Sequence, residues 1–273
     1  MNKARRLSSA VFYGLFMLPM CAFAIGRCER VIVTGSPDAP PYLWRDSKDP
    51  KHLIGANADL FKQAAQEMGL KVEILYAGKR HEALDEVRSG RMDALIDVPL
   101  KIAELEALDY IHPAIIQNEI MVWTRRGHAQ PFNALADLHG RVGGMSEKIR
   151  LSPGFETAVT EHLSVARTVN LAQAFQKLLD GQFEYVLAGR YSGLATTQTL
   201  GVSSDLIAQP LPVDKTGLYV GLSFNSACNE PWLRGQLAKK MTELAASGLS
   251  ADAVTRNLAL WKAQLQTASV LNK

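Results

Sequence analysis

Eight side chains able to grip a small molecule stand at the ends of apolar runs or in the loops beside them. Tyr42 and Trp44 follow the proline-rich stretch Gly35-Ser36-Pro37-Asp38-Ala39-Pro40-Pro41. Asp97 and Lys101 lie at and just beyond the run Ala94–Val98, and Arg190 and Tyr191 follow Phe183–Ala188. Arg80 and Ser146 precede helix-like segments. The chemistry these residue types offer is recognition. An aromatic ring covers a planar or apolar face, a carboxylate takes a cation or hydroxyl donors, and a guanidinium offers a two-pronged fork to an anion. Each has a plainer alternative. Tyr42 and Trp44 can pack an edge of the fold, Asp97 can pair internally with Lys101 or Arg80, and either arginine can sit in an ion pair. Ser152 reads as a simple helix cap, and Ser146 offers a hydroxyl near a helix start.

Residues for turnover are missing from the pattern. The six histidines are scattered, with no H-E-x-x-H or C-x-x-C, so neither a metal nor a cofactor is expected. There is no G-x-S-x-G, phosphate loop or glycine-rich dinucleotide fingerprint.

The elements that must position these residues repeat. Ala83-Leu84-Asp85-Glu86-Val87-Arg88-Ser89-Gly90-Arg91-Met92-Asp93-Ala94-Leu95-Ile96 returns in altered form as Ala174-Phe175-Gln176-Lys177-Leu178-Leu179-Asp180-Gly181-Gln182-Phe183-Glu184-Tyr185-Val186-Leu187. Each copy is an amphipathic helix, a glycine stop, an acidic residue and an apolar strand. Two such units imply two similar α/β lobes and a cleft between them. Arg30–Thr34 reads as a first strand, followed by a rigid loop fixed by prolines. A helix is expected over 56–68 with Gly69 as its stop, then a strand at Val72–Tyr76, the first repeat copy and strand Ala94–Val98. That β-α-β-α-β order means a parallel sheet. Further strands are expected at Ile120–Thr124, Arg141–Gly143 and Gly217–Phe224. Ser152-Pro153 opens a helix to about His162. Asn229 and Ser250 are expected to cap the last two helices, with Gly248 between them. The crossings fall near Gln117–Met121 and Pro210–Gly217. Lobe 1 is then 25–117 with 217–273, and lobe 2 is 118–216.

Residues 1–24 read as a secretory signal peptide: Lys3, Arg5 and Arg6, a short apolar core, and Ala22-Phe23-Ala24 for cleavage. This implies a periplasmic, soluble mature chain, expected as a monomer of two lobes. The whole chain has a net charge of +3, and this segment holds three cations and no anions. The mature chain is thus near neutral, which gives no reason to expect nucleic acid as a partner. Cys28 and Cys228 remain after cleavage. An even count in an exported chain suggests a disulfide, with two buried thiols as the alternative.

The chain resembles the family 3 extracellular solute-binding proteins of the type II periplasmic binding fold. The resemblance lies in Val31-Ile32-Val33-Thr34-Gly35-Ser36-Pro37-Asp38-Ala39-Pro40-Pro41-Tyr42, Leu53-Ile54-Gly55-Ala56-Asn57-Ala58-Asp59-Leu60, Ser89-Gly90-Arg91-Met92-Asp93-Ala94 and Leu135-Ala136-Asp137-Leu138-His139-Gly140-Arg141-Val142-Gly143. It implies a two-lobed α/β fold, each lobe a mainly parallel sheet with helices on both faces, joined by two hinge crossings. It also implies a protein that closes on a small polar solute and presents it to an ABC importer.

Amino-acid-binding members hold the ligand carboxylate with an arginine soon after the strand matching Ala94–Val98, whereas Pro99–Glu106 here has none. They hold the ammonium with an aspartate where this chain has Gly189-Arg190. An ordinary α-amino acid is therefore not the expected solute. The alternatives are a ligand-sensing subunit for a membrane receptor and, less favoured, a dehydratase-type enzyme on the same scaffold using Glu147 or Glu184; the expectation is no enzyme.

Overall fold

The computed structural model describes residues 28–128, 132 and 134–271. The expected signal peptide lies outside the described residues. In chain order the elements are β1 (Arg30–Thr34), β2 (Asp38–Ala39), β3 (Leu43–Arg45), β4 (Leu53–Ile54), α1 (Ala56–Glu67), β5 (Lys71–Ile74), α2 (Arg80–Arg88), β6 (Ala94–Pro99) and β7 (Leu108–Arg125). They continue with β8 (Val142–Ser146), α3 (Pro153–His162), β9 (Ser164–Thr168), α4 (Leu171–Leu179), β10 (Tyr185–Gly189), α5 (Arg190–Leu200), β11 (Leu206–Ser223), α6 (Pro231–Ser247) and α7 (Leu249–Leu271).

Eight strands form one sheet in the order β5-β1-β6-β11-β7-β10-β8-β9. The outer pairs are parallel: β1 with β5 and β6, and β8 with β9 and β10. The two long central strands, β7 and β11, run antiparallel and carry both halves. β6 pairs with β11 over Leu218–Leu222, whereas β10 pairs with β7 over Ile120–Trp123. Between those stretches, Gln117–Glu119 and Lys215–Gly217 pair with each other, so the sheet narrows to two strands there. The apolar cores divide at the same waist. Val33, Phe61, Ile96 and Leu233 belong to one core, with a smaller cluster around Val87 and Leu108. Val122, Phe155 and Tyr185 form another, and Trp123, Phe175 and Val186 a third on the same side of the waist. The fold is a mixed α/β, two-lobed architecture with two crossings.

Local chemistry explains the elements. All six residues of β6 are buried, the pattern of a strand covered on both faces. α1 buries Leu60, Phe61, Ala64 and Ala65 on one stripe, and Gly69 leaves it at φ 73°. Ser152 accepts from the Phe155 N–H at 3.4 Å, with Pro153 at the first helical position.

The repeat has a shared physical basis. Gly90 and Gly181 take φ of 78° and 75° after α2 and α4, a conformation that favours glycine. The acidic residue that follows each one then ties the new strand to its parallel neighbour. Asp93 donates its N–H to the Ile32 carbonyl at 2.7 Å, and its carboxylate accepts the Ile32 N–H at 2.7 Å and the Ser226 hydroxyl at 2.5 Å. Glu184 does the same with Val142, at 2.8 Å and 3.0 Å. Asp93→Ala strips a half-buried backbone donor of its acceptor and should cost about 1–3 kcal/mol. Glu184→Ala removes an exposed bond and should cost less than about 1 kcal/mol. Urea unfolding of the two variants checks that order.

Several expectations need correction. The proline-rich loop is in part a small sheet, β2-β3-β4. The strands expected at Ile120–Thr124 and Gly217–Phe224 are the ends of two 18-residue strands, whose polar waists interrupt the apolar pattern. β9 and α5 were not foreseen: β9 is a mostly exposed edge strand, and α5 is rich in small polar residues. The cap of α6 is Glu230, one residue after Asn229, because Pro231 fills the first helical position. Asn229 instead donates to Asp109 and the Ser223 carbonyl. Ser250 lies inside the first turn of α7, and its hydroxyl donates to the Ile115 carbonyl at 2.9 Å.

Candidate functional site: the seam between the halves

Two polar clusters occupy the seam where the halves meet. The first is built on the waist. Glu119 of β7 stands opposite Lys215 of β11 and pairs with it at 3.4 Å. On its other oxygen it accepts from Arg190 Nε at 2.9 Å. Arg190 opens α5, directly after β10. These two cations hold the Glu119 carboxyl below its ordinary value, although partial burial acts in the opposite direction as the largest single influence. Next to Glu119, Asn118 accepts the Tyr42 hydroxyl at 3.0 Å. Burial, then Tyr191 and Glu119, push the Tyr42 phenol far above its ordinary value. Tyr191, from the second half, packs against the core of the first. Gly189 leaves room for the Tyr42–Asn118 bond, since a Cβ would come within 2.6 Å of Asn118 Oδ1 and force that side chain to shift. Tyr42, Arg190 and Tyr191 are thus brought together, and all three engage the chain itself.

The second cluster lies between the loop after β1 and the loop after β8. Asp97, buried at the middle of β6, accepts the Ser36 N–H at 3.0 Å through Oδ2. The same oxygen lies 3.6 Å from Arg80 Nη1, and that nitrogen donates to Ser36 Oγ at 2.5 Å. Asp97 Oδ1 is buried without a partner among the described residues. From the other half, the Ser146 hydroxyl accepts the Lys148 N–H at 3.1 Å and shapes the turn after β8. Lys148 then bridges to Asp38 at 3.2 Å. Arg150, two residues on, and Lys101, just past β6, complete the group. Lys101 is held below lysine's ordinary value, first by loss of surrounding water, then by Arg150 and Arg80, against Glu104. Arg150 is pushed down in the same way, by lost hydration and then by Arg80 and Arg167, against Glu156.

The sequence-named residues therefore separate. Arg80, Asp97, Lys101 and Ser146 meet at the second cluster, but Asp97 serves as an internal anchor for Ser36 and Arg80, and Ser146 as a turn former. Trp44 leaves the site altogether. It is buried, donates to Gln264 at 3.0 Å and packs edge-on against Trp261 of α7, 5.7 Å between centroids. Its loop folds back as β3, which sets the ring against α7. Arg150 was missed, because an arginine in a polar loop carries no periodic signal. The nearest clue was its place soon after Ser146.

The shifted Lys101 gives a directional test. Between its folded pKa and lysine's ordinary 10.5, the unfolded chain binds the extra proton. Stability contributed by this residue therefore rises with pH through that window. The difference in thermal midpoint between wild type and Lys101→Met should move in favour of wild type from pH 8 toward about 10.5; a flat difference would contradict the electrostatics.

Residues 31–256 match the family model for bacterial extracellular solute-binding proteins, family 3. A search of curated proteins finds no match. Solved structures share the fold. Substrate-binding domain 2 of Lactococcus lactis GlnP, in an open conformation, aligns with TM-score 0.65 and 14% identity, over 86% of this chain and 97% of that one. An amino acid ABC transporter substrate-binding protein, AbpA from Streptococcus pneumoniae bound to L-arginine, gives 0.60 and 16%, over 85% and 96%. A histidine kinase sensor domain with similarity to periplasmic binding proteins gives 0.61 and 20%, over 84% and 96%.

Proposed function

Because this chain belongs to the bacterial extracellular solute-binding proteins of family 3, we propose that it is a periplasmic receptor that closes its two lobes on one small polar solute and presents it to an ABC importer. Export rests on the signal-like residues 1–24. The lobes in this reading are 25–117 with 217–273, and 118–216, and the waist of β7 and β11 is the hinge. The observation that carries the proposal is the division of sheet and cores at that waist, with unlike polar groups from both sides meeting across it. Contacts made only when the halves are together shift the open–closed population toward closed.

An ordinary α-amino acid fits poorly. The stretch Pro99–Glu106 supplies no arginine, and Arg190, where the amino-acid binders carry an aspartate, is already paired with Glu119. The enzyme alternative has little to act with at Glu184, whose carboxylate is committed to the Val142 N–H. Titration calorimetry of a small-solute panel, on protein freed of carried-over ligand, tests the reading. One solute should bind and raise the thermal midpoint. Capture of a membrane receptor with no permease would favour the sensing role instead.

A further inference from the structure

Cations in and around the second cluster mostly have a carboxylate close by. Arg80 has Asp97 at 3.6 Å, Lys148 has Asp38 at 3.2 Å, Arg88 has Glu104 at 2.9 Å, and Arg167 is paired with Glu156. Two cations do not. Among the described residues, no carboxylate lies at ion-pair distance from Lys101 or from Arg150; Glu104 and Glu156 attract them only from farther away, as the smallest influence on each. Lys101 comes from the half that holds β6, and Arg150 from the half that holds β8. Arg150 uses only Nη1 in hydrogen bonds, to the carbonyls of Glu147 and Ile149 at 3.4 and 3.1 Å, both in its own loop. Those bonds fix the loop and leave the rest of the fork unused.

Geometry brings these two groups to one place. The exposed Lys148–Asp38 bridge shows the loop after β8 lying beside the strand that follows Ser36. Ser36 in turn holds the Arg80 guanidinium. Arg150 and Arg80 thereby stand on two adjoining segments, and Lys101 is within electrostatic reach of both. Like charges at such range repel, and partial removal of water strengthens the repulsion. The arrangement is therefore unfavourable when empty and becomes favourable once anionic groups enter. A single negative group neutralises one of the two unpaired cations, and two negative groups neutralise both.

Resting on the solute-binding reading above, we infer that the seam takes a small organic anion carrying at least two negative groups, gripped by Lys101 from one half and Arg150 from the other, with Arg80 as a preset neighbour. Because the unpaired cations sit on opposite halves, such an anion bonds both only when the halves are together. Its charge thus drives closure as well as recognition. The guanidinium favours planar carboxylate or tetrahedral phosphate oxygens alike.

The test uses the full exported chain, freed of carried-over ligand, with succinate, glutarate, citrate and inorganic phosphate as anionic probes. Glucose and putrescine serve as neutral and cationic probes. At least one multiply charged anion should bind, with affinity falling as salt rises. Arg150→Ala and Lys101→Ala should each weaken that binding by about tenfold or more, and Arg150→Lys should weaken it less. The ligand-free wild type should gain more thermal stability than ligand-free Arg150→Ala as salt rises, since salt screens the repulsion that Arg150 meets from Arg80 and Arg167. An equal or smaller gain would overturn the claim that Arg150 lacks a compensating carboxylate. Binding of glucose or putrescine that ignores Arg150→Ala would overturn the anion assignment and leave solute binding standing. Silence toward every probe of every charge would count against both.

Discussion

Replacing both Cys28 and Cys228 by serine lowers the stability of the folded chain by up to about 5 kcal/mol. The two sulfurs are joined, with Cα atoms 5.2 Å apart and 200 positions between them in sequence. The loop they close contains β1 through β11, so both crossings and the entire second half lie inside it. In the chain-entropy picture a long closed loop removes many unfolded conformations. Both cysteines also pack against the core of the first half. The single serine variants should therefore fall nearly as far as the double variant, because either one opens the loop. Urea unfolding read by tryptophan fluorescence measures this, and an unchanged midpoint would show that the crosslink contributes nothing.

Trp123→Ala should cost about 3–5 kcal/mol, the range for truncating a large buried aromatic. Trp123 lies on the second-half stretch of β7, almost fully buried, with Phe175 5.3 Å away between ring centroids. α5 approaches so closely that a Cβ on Gly193 would meet the indole at 2.2 Å. The surrounding backbone therefore cannot easily fill the void. The indole N–H has no partner among the described residues, so Trp123→Phe removes an unsatisfied donor and should cost much less than the alanine change. Hydrogen exchange should show protection lost in β8 and β10 before β1 and β6, since the cores divide at the waist. Equal loss in both halves would mean that they unfold as one unit.

Much of the fold is legible in the sequence because it rests on short-range signals. The glycine stops at Gly90 and Gly181, the stripe of α1 and the Ser152 cap each follow from a few adjacent residues. The paired repeat pointed to two like units, and Asp93 and Glu184 show why an acid belongs after each glycine stop. The length of β7 and β11 was hidden because Gln117-Asn118-Glu119 and Asp214-Lys215 break the apolar run at the place where the sheet is only two strands wide.

The site was legible only in part. Arg80, Asp97 and Lys101 were visible as chemistry near strand ends, yet the duty of Asp97 depends on Ser36, 61 positions away. Trp44 looked like a ligand aromatic until α7, more than 200 positions later, supplied Trp261 and Gln264. Arg150 is placed by a turn that Ser146 shapes, beside Lys148, which bridges to Asp38, 110 positions before it. Long-range contacts of this kind leave no mark in local spacing.

Native mass spectrometry of the exported chain, isolated without denaturation, tests the two-lobed receptor most directly. The account predicts an adduct of one small molecule of a single discrete mass, lost when the chain unfolds and regained on refolding with the released solute. Bare chain alone, both as isolated and after equilibration with small polar solutes of every charge, would contradict it.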